Sequence, residues 1–172
     1  MPLIRVENGR AAEAADTFTS VADDAALPES GGAIVSLARL IKDRDTLLAR
    51  NAPIGVRLKP DETPEGLGAD LARLSVVVLE FPKFADGRGF SWARMLRTRL
   101  KFTGEVRAAG DFIYDQIAYL VRTGCDTFEP THPLTADDFN RALSEMSFVY
   151  QPSADGKKTV RELRAAGHQT PP

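Results

Sequence analysis

The sequence is poor in the residues that build redox and metal centres. Cys125 is the single cysteine, and His132 and His168 are the only histidines in 172 residues. One thiol excludes an intrachain disulfide, a Cys-x-x-Cys pair and a four-thiolate cluster. Neither histidine has a ligand-spaced partner, so no protein-held zinc, haem or iron–sulfur site is expected. Long apolar runs are missing too: Val76–Leu79 stops far short of the roughly 20 residues of a membrane span. The first residues, Met1–Asp16, lack the basic-then-apolar layout of a signal peptide. A cytoplasmic location with no membrane contact is therefore the expectation. Charge of one sign is scarce as well. With a formal net charge of −2 there is no general attraction to nucleic acid. Apolar residues at 43% and charged residues at 27% are the balance of a globular protein, and the length fits one domain.

What is present is a regular alternation of strand and helix patterns. Residues 1–32 read as an appendage, with a β-hairpin turning at Asn8-Gly9 and a linker at Leu27–Gly32. Residues 33–152 read as an α/β domain. Strands are predicted at Ala33–Val35, Ile54–Leu58, Ser75–Phe81, Glu105–Ala109 and Asp126–Glu129. Helices are predicted through Leu37–Leu48, Pro64–Leu74, Phe90–Leu100, Asp111–Arg122 and Thr135–Met146. Residues 153–172 read as a tail with one short helix and a frayed end. Short βα connections imply right-handed parallel crossovers. The expected architecture is an open, mainly parallel sheet of about five strands with helices on both faces, plus the N-terminal hairpin. A barrel-like half sheet is the alternative.

Sites in parallel sheets form at the carboxyl ends of the strands. There the segment Pro82–Gly89 stands out, because two glycines flank Arg88 and the loop feeds a helix N-terminus suited to an anion. From Lys83 to Arg107 the cations are Lys83, Arg88, Arg94, Arg97, Arg99, Lys101 and Arg107, against Asp86 and Glu105 alone. Helical spacing puts Arg94, Arg97 and Lys101 on one face. That face and loop fit either a solvated helix surface or a site for a phosphate, sulfate, carboxylate or acidic protein. Gly87-x-Gly89 begins a dinucleotide fingerprint, but Trp92 stands where its third glycine is needed, so the cofactor stays unknown.

Arg107 sits inside a predicted buried strand, and Arg57 raises the same question. Either such a strand lies at an edge, or the guanidinium snorkels outward, or Asp86, Asp111 or Asp115 holds Arg107 toward a cleft. Asp111 reads as a helix N-cap, and Asp115, Tyr119 and Arg122 follow on the same helix face. Cys125 reads as structural, and His132 as a loop residue rather than a base. The candidate anion- or partner-binding set is Lys83, Asp86, Gly87, Arg88, Gly89, Ser91, Arg94, Arg97, Arg107, Asp111, Asp115 and Arg122, with catalytic residues unassigned.

The residues Phe81-Pro82-Lys83-Phe84-x-Asp86-Gly87-Arg88-Gly89-Phe90-Ser91-x-Ala93-Arg94, Gly104-Glu105-x-Arg107-Ala108-x-Gly110-Asp111, Asp115-Gln116 and Arg122-x-Gly124-x-Asp126-x-Phe128 closely resemble the bacterial domain of unknown function 934. Ser147-Phe148-x-Tyr150-Gln151 is similar to that family too, and the likeness covers residues 33–152. Cys125 stands where the family commonly has an aromatic, which argues against an essential thiol. The resemblance implies an accessory role in assimilatory sulfite reduction, within sulfate assimilation and cysteine biosynthesis. Sulfite reductase is the implied partner, through docking or support of electron delivery. Two other readings stay open: an oxidoreductase with a bound cofactor, its phosphate on Gly87–Gly89, and a small-anion or phosphoester-binding α/β enzyme.

Overall fold

A computed structural model describes residues 2–167. His168 and the frayed end expected at the C-terminus lie outside them. The chain opens on strands β1 (Leu3–Glu7) and β2 (Arg10–Ala14). Asn8 and Gly9 take positive φ values of 51° and 76°, the two-residue turn whose twist matches the strands it joins. A short strand, β3 (Phe18–Ser20), follows, and then β4 (Gly32–Ser36). Helices α1 (Leu37–Lys42) and α2 (Arg44–Leu48) come next, separated at Asp43 where one continuous helix was expected. Strand β5 (Ile54–Leu58) leads to a 3-10 helix η1 (Pro64–Arg73), interrupted at Gly68 with a φ of 50°. The rest of the domain is β6 (Val76–Phe81), α3 (Arg88–Thr98), β7 (Glu105–Gly110), α4 (Tyr114–Thr123), β8 (Thr127–Pro130) and α5 (Ala136–Glu145). A last helix, α6 (Val160–Gly167), lies in the tail. Among the described residues no helix is long and apolar enough to cross a membrane.

The fold is α/β, but its sheet differs from the expected one. Among the described residues it is mixed and has eight strands, in the order β2-β1-β8-β7-β6-β5-β4-β3. Strands β3 to β8 are parallel neighbours in chain order, and the β1–β2 hairpin adds antiparallel to β8. A run of crossovers of one hand between successive neighbours puts every connecting helix on the same side. The packing agrees: one apolar cluster unites Leu40, Leu67, Leu96, Leu120 and Phe139 of the helices with Val56, Val77, Leu79, Val106 and Phe128 of the strands. The alternate strand residues Ile34, Val76, Val78 and Ala109 form a separate cluster containing no helix residue. Helices on both faces are thus corrected to helices on one.

The chain itself requires the sheet to curl. Strands β2 and β3 lie at opposite edges, yet only Ala15, Asp16 and Thr17 join them. Such a link reaches at most about 14 Å, whereas a flat sheet would hold those edges roughly 34 Å apart at about 4.8 Å per strand spacing. The sheet therefore wraps well past half-way into an incomplete barrel with the helix-free face inside. The free backbone of β2 is covered by α5, where the Asn140 amide accepts from the Ala11 N–H at 2.8 Å and donates to the Ala11 carbonyl at 3.0 Å.

Candidate functional site: the barrel interior and its mouth

Strand register stacks the inward residues in layers, as in closed parallel barrels. The middle layer runs Ser36, Arg57, Val78, Arg107, Thr127 across successive strands. The layer above it, toward the strand carboxyl ends, contains Glu80, Ala109 and Glu129. Lys59, one residue past the Leu58–Leu79 pair, comes level with Glu80.

Arg107 is the centre of this interior, with only 1% of its side chain exposed. It donates to Asp16 at 2.7 and 3.0 Å, to Glu105 at 2.9 Å and to Glu129 at 2.7 Å. The Phe18 ring lies 5.9 Å from its guanidinium carbon. Burial alone would disfavour the charge, but these carboxylates outweigh it and hold the guanidinium pKa well above its ordinary value. Asp16, on the three-residue link, responds in the opposite sense. Partial burial pushes its carboxyl up, but the bonds from Arg107 and the Phe18 amide outweigh that and keep it below the usual carboxylate range. Glu105 also accepts from Arg5 at 2.8 Å and from the Thr127 hydroxyl at 2.6 Å. The expected partners of Arg107 are corrected accordingly. Asp86 binds Arg88, Asp111 faces His132, and Asp115 is exposed on α4.

Above Arg107 the barrel opens. Arg57 reaches Glu129 at 3.2 Å and the Ser20 hydroxyl at 3.3 Å, and stands 3.9 Å from Glu80. Two adjoining cavities meet at Arg57 and Glu80. One, about 420 Å³, extends over Ile34, Ser36, Lys59, Glu62 and Asp23. The other, about 310 Å³, extends over Ala109, Asp111, Glu129 and Thr131. On the rim, His132 Nε2 lies 2.9 Å from Asp111 Oδ1. His132 is therefore a partnered residue, and Asp111 is not the N-cap of α4. That helix starts at Tyr114, with Gln116 reaching back to the Ile113 N–H at 3.2 Å.

Residues 55–161 match the family described as bacterial protein of unknown function (DUF934). The chain belongs to that family. No curated protein and no solved structure matches it.

In this DUF934 chain the arginine-rich segment is divided among several tasks. The Pro82–Gly89 loop shares its rim with Gly110-Asp111, since Phe81 pairs with Gly110 and its carbonyl accepts from the Asp111 N–H at 2.7 Å. Within the loop, Asp86 accepts from the Arg88 backbone at 3.2 Å and its guanidinium at 2.7 Å, which holds the Asp86 carboxyl below its ordinary pKa. The anion seat at the start of α3 is thus taken by the chain's own carboxylate. Gly89 is demanded by packing: a Cβ there would meet the Phe81 ring at 2.4 Å. Gly87 precedes α3 as its cap residue, while Lys83, Ser91 and Arg94 are exposed.

Arg97 lies at the opposite end of the barrel. It donates to the carbonyls of Gly124 at 3.0 Å, Phe102 at 2.7 Å and Gly104 at 2.7 Å, and pairs with Asp126. Arg122 binds Asp155 at 2.9 Å and the Gln151 carbonyl at 2.8 Å, tying the tail to α4. Beside it, α4, α5 and residues 149–157 enclose an apolar groove of about 520 Å³ lined by Asp115, Tyr119, Leu143, Met146, Val149 and Tyr150. Cys125 is buried, and its thiol is pushed up by that burial and by neighbouring Asp126, so it is held protonated and shielded.

Sequence reasoning did not assign Lys59, Glu80, Glu129, Glu105 or Asp16 to a site. The usable signal was parity. Arg57 and Lys59, Glu80, Glu105 and Arg107, and Glu129 each stand at alternate positions to strand residues that face the helices.

Proposed function

We propose that this chain is a cytoplasmic accessory protein of assimilatory sulfite reduction that docks on sulfite reductase and supports electron delivery to it. The pathway comes from what the family resemblance implies. The mode of action rests on one observation, the apolar groove beside α4 and α5 with its exposed aromatic surroundings. Tyr150 is 83% exposed and Phe148 62%, with Met146 and Tyr119 also open to solvent. Contiguous apolar surface of this kind marks association sites, and Tyr, Phe and Met are favoured at interface centres.

The basic face plays a smaller part than the sequence alone implies. Arg88 is engaged by Asp86, Arg97 by the base of the barrel and Arg99 by Glu65 at 2.6 Å. Lys83, Arg94 and Lys101 are exposed and form no ion pair among the described residues, so they supply long-range steering. The reading is tested with Met146→Glu combined with Tyr150→Glu, two surface changes expected to leave the fold intact. This variant should fail to support growth on sulfate while growth on sulfide persists, and should no longer capture sulfite reductase. A folded double variant that grows normally on sulfate overturns the proposal.

A further inference from the structure

We propose that the mouth of the barrel is a binding site for a small zwitterion of the α-amino-acid type, with the ammonium on Glu80 and the carboxylate on Lys59 and Arg57. Charge at the mouth that is not committed to a partner within the chain points there. Glu129 is fully engaged, one carboxylate oxygen on Arg107 and the other on Arg57. Asp23 accepts from the Ser36 hydroxyl at 2.6 Å, Glu62 from the Lys59 backbone N–H at 2.8 Å, and Asp111 faces His132. Glu80 differs from all of these. Its nearest cation, Arg57, stands at 3.9 Å, beyond hydrogen-bond reach, and its carboxylate accepts no side-chain hydrogen bond among the described residues. The Lys59 ammonium likewise forms no ion pair there, although its side chain lines the same cavity.

One carboxylate and one ammonium, both open to solvent, neither committed to a side-chain hydrogen bond among the described residues, and level with each other on adjacent strands, fit a ligand carrying both charges. A simple oxyanion would meet Lys59 and Arg57 but would also face Glu80, Asp23 and Glu62, and a simple cation would meet the reverse repulsion. The neighbouring walls are apolar, from Val21, Ile34 and Val35, and leave space for a short side chain. The position is the one that parallel barrels use for ligands, the carboxyl ends of the strands. The site is separate from the α4–α5 groove, so the failure of either proposal leaves the other standing.

Calorimetry and thermal unfolding with the full chain provide the test, using glycine, serine, methionine, aspartate and lysine as probes, together with N-acetylserine, serine amide, phosphate and sulfite. At least one free amino acid should bind saturably and raise the unfolding temperature, and blocking its amine or its carboxylate should abolish the effect. Glu80→Gln and Lys59→Gln should each weaken binding by about tenfold or more, the scale of one charged hydrogen bond. Lack of binding by all five amino acids overturns the inference. So does binding that survives acetylation of the amine, or binding of sulfite or phosphate in place of the amino acids. These ligand comparisons use the unaltered chain and decide the matter even if a variant folds poorly.

Discussion

At the base of the barrel Arg97 commits its guanidinium to three loop carbonyls and Asp126, while at the mouth Arg57 has one firm carboxylate partner and a second beyond bonding distance. The base also has Gly124 at a φ of 112°, where a Cβ would meet the Arg97 side chain at 2.4 Å. The backbone at Gly124 and the aliphatic stem of Arg97 fit closely there. At the mouth, the small residues Ser36 and Ala109 alternate with charged ones and leave cavities. The same side-chain chemistry is thus committed to the chain itself at one end and left available at the other. Charge density along the sequence does not distinguish the two cases; the number of acceptors around each guanidinium does.

The sharpest way to break this contrast is to remove the residue between the two ends. Arg107→Leu would leave Asp16, Glu105 and Glu129 facing one another with Arg5 and Arg57 only at the periphery. Loss of one partner from a buried charged cluster costs about 3–5 kcal/mol, and urea denaturation should register a loss of that size. A stability unchanged by this substitution would mean that the interior is wet. The next largest effect belongs to the base. Arg97→Ala should lose roughly 2–3 kcal/mol, since hydrogen bonds to charged groups carry that weight. Arg94→Ala, one turn earlier on α3 and exposed, should stay within about 0.5 kcal/mol. Equal losses for the two would show that the base is not stapled by Arg97.

The smallest effect concerns pH. The carboxyl of Asp16 lies below its ordinary value in the folded chain because Arg107 and the Phe18 amide outweigh its partial burial. Its contribution to stability is therefore complete above the unfolded value of about 3.9 and is lost as pH falls through the lower folded value. Asp16→Asn should remove part of the acid-dependent slope while leaving neutral-pH binding at the mouth unaltered. An identical acid slope in the two proteins would assign that dependence to the other interior carboxylates.

Much of the domain was legible locally. The Asn8-Gly9 turn, the successive βα units and the shared rim of Pro82–Gly89 and Gly110-Asp111 all follow from turn chemistry and crossover handedness. The curl was legible only as the alternative of a barrel-like half sheet, because Phe18–Ser20 is too short a strand to carry a pattern. The apolar run Val76–Leu79 reads the same whether helices or a barrel interior cover its second face. Arg107 was visible as a buried charge needing partners. Those partners were not, since they come from its own strand, from β8 and from Asp16, 91 positions away. Glu80 could be found only by comparing its neighbours' completed bonds with its own.

The three-residue link at Ala15–Thr17 also has a consequence for how the chain is made. Strand β1 is synthesised before the other described strands, and its partner β8, at Thr127–Pro130, follows all of them. The N-terminal hairpin therefore emerges with its outer edge unmatched and must wait for more than a hundred residues before it can dock. Pairings so distant along the chain pay their loop-closure entropy late and slow the final step. A ribosome carrying most of this protein thus holds an incomplete cylinder, which closes only after β8 has left the exit tunnel.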